Sequence, residues 1–231
     1  MAWAFFRGIR SIGYGASAVL RKSVLFMIFA PVVALAEPVK IAALGDSLTQ
    51  GYGLPAEDGL VPNLEAWLNA NAQDVVLINA GVSGDTTAGG LSRAEWTLTP
   101  DVDGLIVALG GNDMLRALDP AQAKSNLAGI LEVARTKSVP VLLVGIEAPS
   151  NYGPAYKEAF DAMYGALAEE FGTLYYRSFF DVFVQQGLSQ TEVQKFLQSD
   201  RIHPNAEGVD MIVEGLGPEV IELIKLLDEA Q

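Results

Sequence analysis

The sequence predicts an α/β protein in which a five-stranded parallel sheet is covered by helices on both faces. Hydrophobic residues make up 50% and charged residues 19% of the 231 positions, which is typical of a folded chain. Five short apolar runs alternate with five amphipathic segments, and this alternation predicts parallel strands buried on both faces. No Pro-rich or Ser/Gly-rich linker interrupts the pattern, so we expect one domain over 37–231.

The five apolar runs are predicted strands because they are nearly continuous and end at Gly, Asn, Asp or Pro. In chain order they are VKIAAL (39–44), DVVLIN (74–79), DGLIVAL (103–109), VPVLLVG (139–145) and TLYYRSF (173–179).

The segments between the strands are predicted helices. They cover 61–71, 87–97, 120–137, 156–171 and 205–229. Ligands of such sheets bind beyond the carboxyl ends of the strands, so the residues that follow each strand are the ones to inspect.

Residues 1–36 are predicted to be a secretory signal peptide. Four basic residues accompany an apolar run that ends in an A-x-A sequence at 34–36. An uncleaved anchor is the alternative, but the 13 residues at 23–35 include Pro31 and fall short of the roughly 20 that a span requires. We therefore expect cleavage before Glu37, no stable membrane anchor afterwards, and a periplasmic or secreted protein.

Charge and composition exclude several classes of partner. Residues 37–231 hold 11 lysines and arginines against 28 aspartates and glutamates, a formal net charge of −17. Nucleic acids and anionic lipid surfaces are bound by clustered cations, so neither is an expected partner. With no cysteine and a single histidine, we expect no disulfide, metal or cofactor. No coiled-coil heptads are present, and a monomer is the expectation.

Three residues could together form a nucleophilic site. Ser47 lies in the glycine-flanked segment GDSLTQGYG (45–53), and His203 follows Asp200 by three positions in DRIHPN (200–205). A serine hydroxyl becomes a strong nucleophile when a histidine accepts its proton and a carboxylate orients that histidine.

Acyl transfer also requires donors for an oxyanion, and three are candidates: Ser47 N–H, Gly84 N–H and the Asn112 side-chain amide. Gly84 lies in AGVSGDT (80–86) after the second strand, and Asn112 in GGNDM (110–114) after the third. Taken singly, each residue has an ordinary structural explanation. Ser47, Asn112 and Asp200 could cap helices, and Gly84 could be a turn glycine.

The segments GDSLTQGYG, GVSGDTT, GGND and DRIHP resemble, in this order, the four sequence blocks of the SGNH (GDSL) hydrolase superfamily. Ser47, Gly84, Asn112 and His203 match its four namesake residues, and Asp200 matches its acid. The resemblance extends from about residue 39 to the C-terminus. It is closest to the thioesterase I, lysophospholipase L1 and arylesterase branch, which PSNYGPAYKEAF (149–160) also resembles.

This resemblance implies a flavodoxin-like three-layer sandwich and a metal-independent serine hydrolase. The implied reaction is hydrolysis of carboxylic esters and acyl thioesters through an acyl-enzyme, with lysophospholipids among the candidate substrates. Two alternatives remain at this stage, a carbohydrate O-deacetylase of the same superfamily and a non-catalytic binding module on the same fold. Leu115, Leu118 and Ile146 could line an acyl groove or belong to the core, and the preferred acyl chain length stays open.

Overall fold

The computed structural model describes residues 37–71 and 73–229, so the predicted signal peptide lies outside the described residues. Five parallel strands form one sheet with the order β2-β1-β3-β4-β5. The strands are β1 (Val39–Gly45), β2 (Val75–Gly81), β3 (Gly104–Ala108), β4 (Val141–Val144) and β5 (Leu174–Tyr176).

Helices follow the strands along the chain. They are α1 (Ser47–Gln50), α2 (Leu60–Ala70), α3 (Thr87–Thr97), α4 (Gly111–Leu115), α5 (Pro120–Thr136), α6 (Pro154–Phe171), α7 (Asp181–Gln185), α8 (Gln190–Val193) and α9 (Ala206–Glu229), with 3₁₀ turns at Ala56–Asp58, Ser150–Tyr152 and Gln194–Phe196. Within the ranges 37–71 and 73–229, no helix is both long and apolar enough to cross a membrane.

Two hydrophobic clusters cover the two faces of the sheet. Successive side chains of a strand point to opposite faces, so Ile41 and Ala43 of β1 join one cluster while Ala42 and Leu44 join the other. Helices α2, α7 and α9 supply the first cluster, and helices α3, α5 and α6 supply the second. This arrangement gives three layers and confirms the predicted fold class.

The predicted long elements match the structure closely, and the differences have local causes. Each of the five predicted helices begins and ends within about two residues of an observed one. The last strand was predicted over 173–179 but ends at Tyr176, because Phe179 N–H then donates to Gly145 O at 2.8 Å and turns the chain. Helices α1, α4, α7 and α8 were not predicted, because four or five residues are too few to show a helical period.

Candidate active site

Ser47 stands at the start of α1, directly beyond the carboxyl end of β1. Asp46 caps this helix and accepts a hydrogen bond from Leu48 N–H at 3.0 Å. Helix α1 packs so closely on β1 and β2 that Gly45 and Gly81 have no room for a side chain. A Cβ on Gly45 would lie 1.9 Å from Thr49 Oγ1. The close packing of α1 on the sheet edge fixes the position at which the Ser47 hydroxyl is presented.

Hydrogen bonds join Ser47, His203 and Asp200 in one chain. His203 Nε2 lies 2.8 Å from Ser47 Oγ, and His203 Nδ1 lies 2.6 Å from Asp200 Oδ2. An ionised carboxylate can only accept, so Nδ1 carries the imidazole proton and Nε2 is left to accept the proton of the serine hydroxyl. The structure thus brings together the three residues that the sequence predicted as nucleophile, base and acid.

Asp200 is held in its ionised form. Burial raises its pKa, but the hydrogen bond from His203 and those from the backbone N–H groups of Ile202 and His203 outweigh this effect and lower the pKa to about 2. The two backbone bonds to Oδ1 are 2.9 and 3.1 Å long. They leave Oδ2 directed at the imidazole.

The segment that carries His203 is anchored to the segment that follows Ser47. A β-bridge pairs Leu197 with Pro204, and Gln198 N–H donates to His203 O at 2.8 Å. The Gln198 side-chain amide donates to Tyr52 O at 2.8 Å and to Pro204 O at 2.9 Å. The Tyr52 ring also packs on the imidazole with ring centres 4.7 Å apart. Neither Gln198 nor Tyr52 is predicted as a site residue, because the sequence carries no signal for a contact between residues so far apart.

Asn112 is oriented by Asp46. Its Nδ2 donates to Asp46 Oδ2 at 3.3 Å, which leaves the second N–H of the amide free to face the cavity. Asp46 is 3% exposed, and burial raises its pKa to about 6 despite the hydrogen bonds from Leu48 and Asn112. Its role was missed in the sequence, although it is the aspartate of the GDSL motif itself.

Gly84 adopts a left-handed backbone with φ of 84°, which glycine tolerates without strain. Its carbonyl accepts a hydrogen bond from Arg116 at 2.7 Å, and its N–H donates to no other described residue. The neighbouring Asp85 pairs with Arg93 at 2.7 Å, and Arg93 also donates to Gly45 O at 2.8 Å. Arg93 therefore ties the Gly84 loop to the end of β1.

A buried polar contact fixes α4, the helix that carries Asn112. Asp113 accepts hydrogen bonds from Thr87 N–H and Thr87 Oγ1, both at 2.7 Å, and Asn126 donates to the same hydroxyl at 3.0 Å. The first turn of α4 is thereby joined to the first turn of α3 and to α5.

A cavity of about 220 Å³ opens beside the nucleophile. Ser47 and Asn112 share its wall, whereas Gly84 lies outside its lining. Most of the wall is apolar: Leu48, Met114, Leu115, Ile146, Phe180 and Ile202. Two of the three residues considered for an acyl groove, Leu115 and Ile146, line it, and Leu118 does not.

The parallel sheet and the segments at its carboxyl edge define an SGNH-type α/β hydrolase. The GDSL-like lipase/acylhydrolase family matches residues 43–211, and the chain belongs to this family.

The chain is similar to several named enzymes over most of its length. It is 38% identical to the esterase TesA of Pseudomonas aeruginosa over 80% of this chain and 89% of that protein. It is 32% identical to the arylesterase of Vibrio mimicus, covering 79% and 88%, and to thioesterase 1/protease 1/lysophospholipase L1 of Escherichia coli K12, covering 78% and 83%.

Among solved structures, the SGNH-hydrolase family esterase AlinE4 is similar, with 39% identity, a TM-score of 0.67 and coverage of 82% of this chain and 98% of that chain. These similarities establish that the chain is an ester hydrolase.

Proposed function

We propose that this ester hydrolase cleaves carboxylic esters and acyl thioesters through an acyl-enzyme formed on Ser47. The observation that carries the proposal is the unbroken hydrogen-bond chain from Ser47 through His203 to Asp200 beside an apolar cavity. Each member has the chemical form that its role requires: a hydroxyl, an imidazole whose Nε2 carries no proton and faces that hydroxyl, and an ionised carboxylate.

The first half of the reaction acylates the serine. Ser47 Oγ attacks the carbonyl carbon as its proton passes to His203 Nε2, and Asp200 stabilises the imidazolium that forms. The tetrahedral intermediate collapses when Nε2–H gives the proton to the leaving oxygen or sulfur. The alcohol or thiol departs and the acyl group remains on Oγ.

The second half repeats these steps with water. His203 Nε2 takes a proton from a water molecule, the hydroxide attacks the acyl carbon, and Ser47 Oγ recovers the proton as the carboxylic acid leaves. Both halves pass through an oxyanion. We assign its donors as Ser47 N–H, Gly84 N–H and the free N–H of Asn112, because donors aligned in advance stabilise the charge where it develops.

The lining of the cavity supports acyl esters over acetylated sugars as substrates. Its apolar wall matches a hydrocarbon chain, whereas a sugar ring would require several polar partners. Lysophospholipids, which join an acyl chain to a polar alcohol, fit this description. We also propose that cleavage before Glu37 releases a periplasmic or secreted enzyme without a membrane anchor, and that it acts as a monomer without a cofactor.

The test is hydrolysis of p-nitrophenyl butyrate by the protein and by Ser47→Ala. Loss of the nucleophile should leave about 10⁻⁴ of the rate or less, since triad members act as a unit. Ser92→Ala is the matched control, because Ser92 is an exposed serine of α3 that bonds only Gly89 O. A fluorophosphonate should add to the intact protein once and fail to add to Ser47→Ala. Equal rates for the protein and Ser47→Ala would mean that Ser47 is only a helix residue and that the acyl-enzyme mechanism is wrong.

A further inference from the structure

Arg201 occupies an unusual place between two members of the proposed triad, Asp200 and His203. Its backbone is left-handed, with φ of 61°, a conformation that non-glycine residues rarely adopt. This turn allows Asp200 Oδ1 to receive the N–H groups of both Ile202 and His203. Arg201 is exposed and lines the cavity that contains Ser47.

Arg201 lines both of two adjoining apolar depressions in the surface. One is the cavity that contains Ser47, and the other is a groove of about 600 Å³ that shares Phe180, Arg201 and Ile202 with it. The rest of the groove wall is largely hydrophobic, formed by Pro149, Phe183, Val184, Leu188, Val193 and Leu197. Arg201 is the one charged residue among the described residues that line this groove.

The guanidinium has no partner within the described part of the chain. Of the five arginines in that part, Arg93, Arg116, Arg135 and Arg177 bond a carboxylate or a carbonyl, and Arg201 alone makes no side-chain hydrogen bond or ion pair. Planar guanidinium groups bind carboxylate and phosphate oxygens well, so Arg201 is available for an anionic group of a ligand.

The position of His203 decides which part of the substrate meets Arg201. His203 Nε2 must reach the leaving oxygen in order to protonate it, so the alcohol portion of the ester lies on the side of the 197–204 segment. Arg201 belongs to that segment and lies two residues before His203. Met114 and Leu115 of the same cavity come from α4 and are apolar, so they suit the acyl chain and offer no partner for an anion.

We propose that Arg201 is a specificity-determining residue that binds a phosphate on the alcohol portion of the substrate. This rests on the serine esterase mechanism proposed above. In a lysophospholipid, only the glycerol carbons separate the scissile ester from the phosphate. With the ester at Ser47 and His203, the phosphate would therefore lie near Arg201. The enzyme then prefers anionic lysophospholipids to neutral monoacylglycerols with the same acyl chain.

The experiment compares two substrates that differ in the phosphate. The ratio of kcat/KM for lysophosphatidylglycerol to that for 1-monoacylglycerol of equal chain length is measured below both critical micelle concentrations. Arg201→Gln should lower this ratio about tenfold, the effect of losing one charge-assisted hydrogen bond of about 1.5 kcal/mol, and Arg201→Lys should lower it less. Arg135→Gln is the matched control for loss of an exposed arginine, since Arg135 pairs with Glu132 at the end of α5, and its ratio should not change.

Each outcome has one meaning. A ratio within twofold of the original in Arg201→Gln overturns the proposal, and so does an equal fall in Arg135→Gln. Should Arg201→Gln fold poorly, Arg201→Gly provides the same test on a residue suited to the left-handed backbone. If p-nitrophenyl butyrate hydrolysis depends on Ser47 but the ratio is unchanged in Arg201→Gln, the role of Arg201 is refuted and the proposed mechanism stands. Hydrolysis of all substrates by Ser47→Ala refutes the proposed mechanism itself.

Discussion

Asp46 is buried at the carboxyl end of β1 and accepts hydrogen bonds from Leu48 N–H and from the Asn112 side chain. Two hydrogen bonds do not replace full hydration, and its pKa is raised to about 6. The carboxylate that holds Asn112 in place is therefore a source of instability at neutral pH. We interpret this as stability given up to align a donor of the proposed oxyanion site.

The raised pKa of Asp46 predicts how stability depends on pH. The folded protein keeps the Asp46 proton up to about pH 6, whereas an unfolded chain releases it near 3.8. Between these values the folded state binds more protons, so the stability contribution present at low pH is lost as pH rises through about 6. Asp46→Asn lacks this loss. We therefore expect the unfolding free energy of the variant, relative to that of the original protein, to be about 2 kcal/mol higher at pH 7 than at pH 4.

Urea unfolding at several pH values measures this difference. Asp210→Asn, which removes a carboxylate from the exposed surface of α9, shows the effect of removing a surface charge. Parallel pH curves for Asp46→Asn and the original protein would contradict a raised pKa at Asp46. p-Nitrophenyl butyrate kinetics without urea should show a lower kcat for Asp46→Asn, because an amide at this position cannot accept from both Leu48 N–H and Asn112 as a carboxylate does.

At the scale of elements, the long strands and helices could be predicted from sequence because each has its own periodic signal. VKIAAL indicates β1 and the 17 residues of α5 indicate a helix without reference to the rest of the chain. The four-residue helix α1 has no such signal, since tertiary packing holds it. Its neighbours Gly45 and Gly81 are the sequence trace of that packing, because the close contact excludes any side chain.

Gly81→Ala tests this packing. A Cβ there would lie 2.3 Å from Gln50 N and 2.7 Å from Gln50 Cα, and backbone atoms can give way only if α1 moves. We expect a loss of about 2 kcal/mol in unfolding free energy, and a fall of up to about 10² in kcat as Ser47 is displaced. Thermal unfolding and p-nitrophenyl butyrate kinetics measure the two effects.

Gly165→Ala is the matched control for this substitution. Gly165 lies inside α6, where a Cβ would meet its nearest neighbour, Tyr175, at an ordinary 3.6 Å. We expect alanine to stabilise the helix by up to about 1 kcal/mol and to leave activity unchanged. If Gly81→Ala behaved like Gly165→Ala, the close packing of α1 on β2 would not be what fixes Ser47.

At the scale of the whole molecule, the order of motifs along the chain predicted the site because parallel strands bring their carboxyl ends to one edge. Ser47 and Asn112 follow β1 and β3, which are neighbours in the sheet, so the strand topology brings these two together. His203 comes directly after none of the five strands and is placed by the Leu197–Pro204 bridge and the contacts of Gln198. The contact of Gln198 with Tyr52, 146 residues away, has no counterpart in local sequence. Only the three-dimensional path of the chain shows that this amide connects the two sides of the site.

Residues 37–231 carry a large excess of negative charge. A net charge of −17 over residues 37–231 repels anions from most of the surface, and a lone arginine at the site would act against that field. Charges of one sign also repel one another in the folded state, where they are closer together than in the unfolded chain. Salt shortens the range of this repulsion from about 30 Å at 0.01 M to about 8 Å at 0.15 M.

This repulsion predicts a stability that depends on salt and pH together. At pH 8, we expect a rise from about 0.01 M to about 0.15 M NaCl to stabilise the fold by roughly 1 kcal/mol, or about 2–4 °C in Tm for a chain of this size. The isoelectric point of the full sequence is about 4.4, and that of residues 37–231 is lower because four cations are absent, so the rise should disappear at about pH 4, where opposite charges balance. Thermal unfolding at the four combinations decides the matter. An equal rise in Tm at both pH values would indicate general salt exclusion from the protein surface, because relief of repulsion requires a net charge to screen.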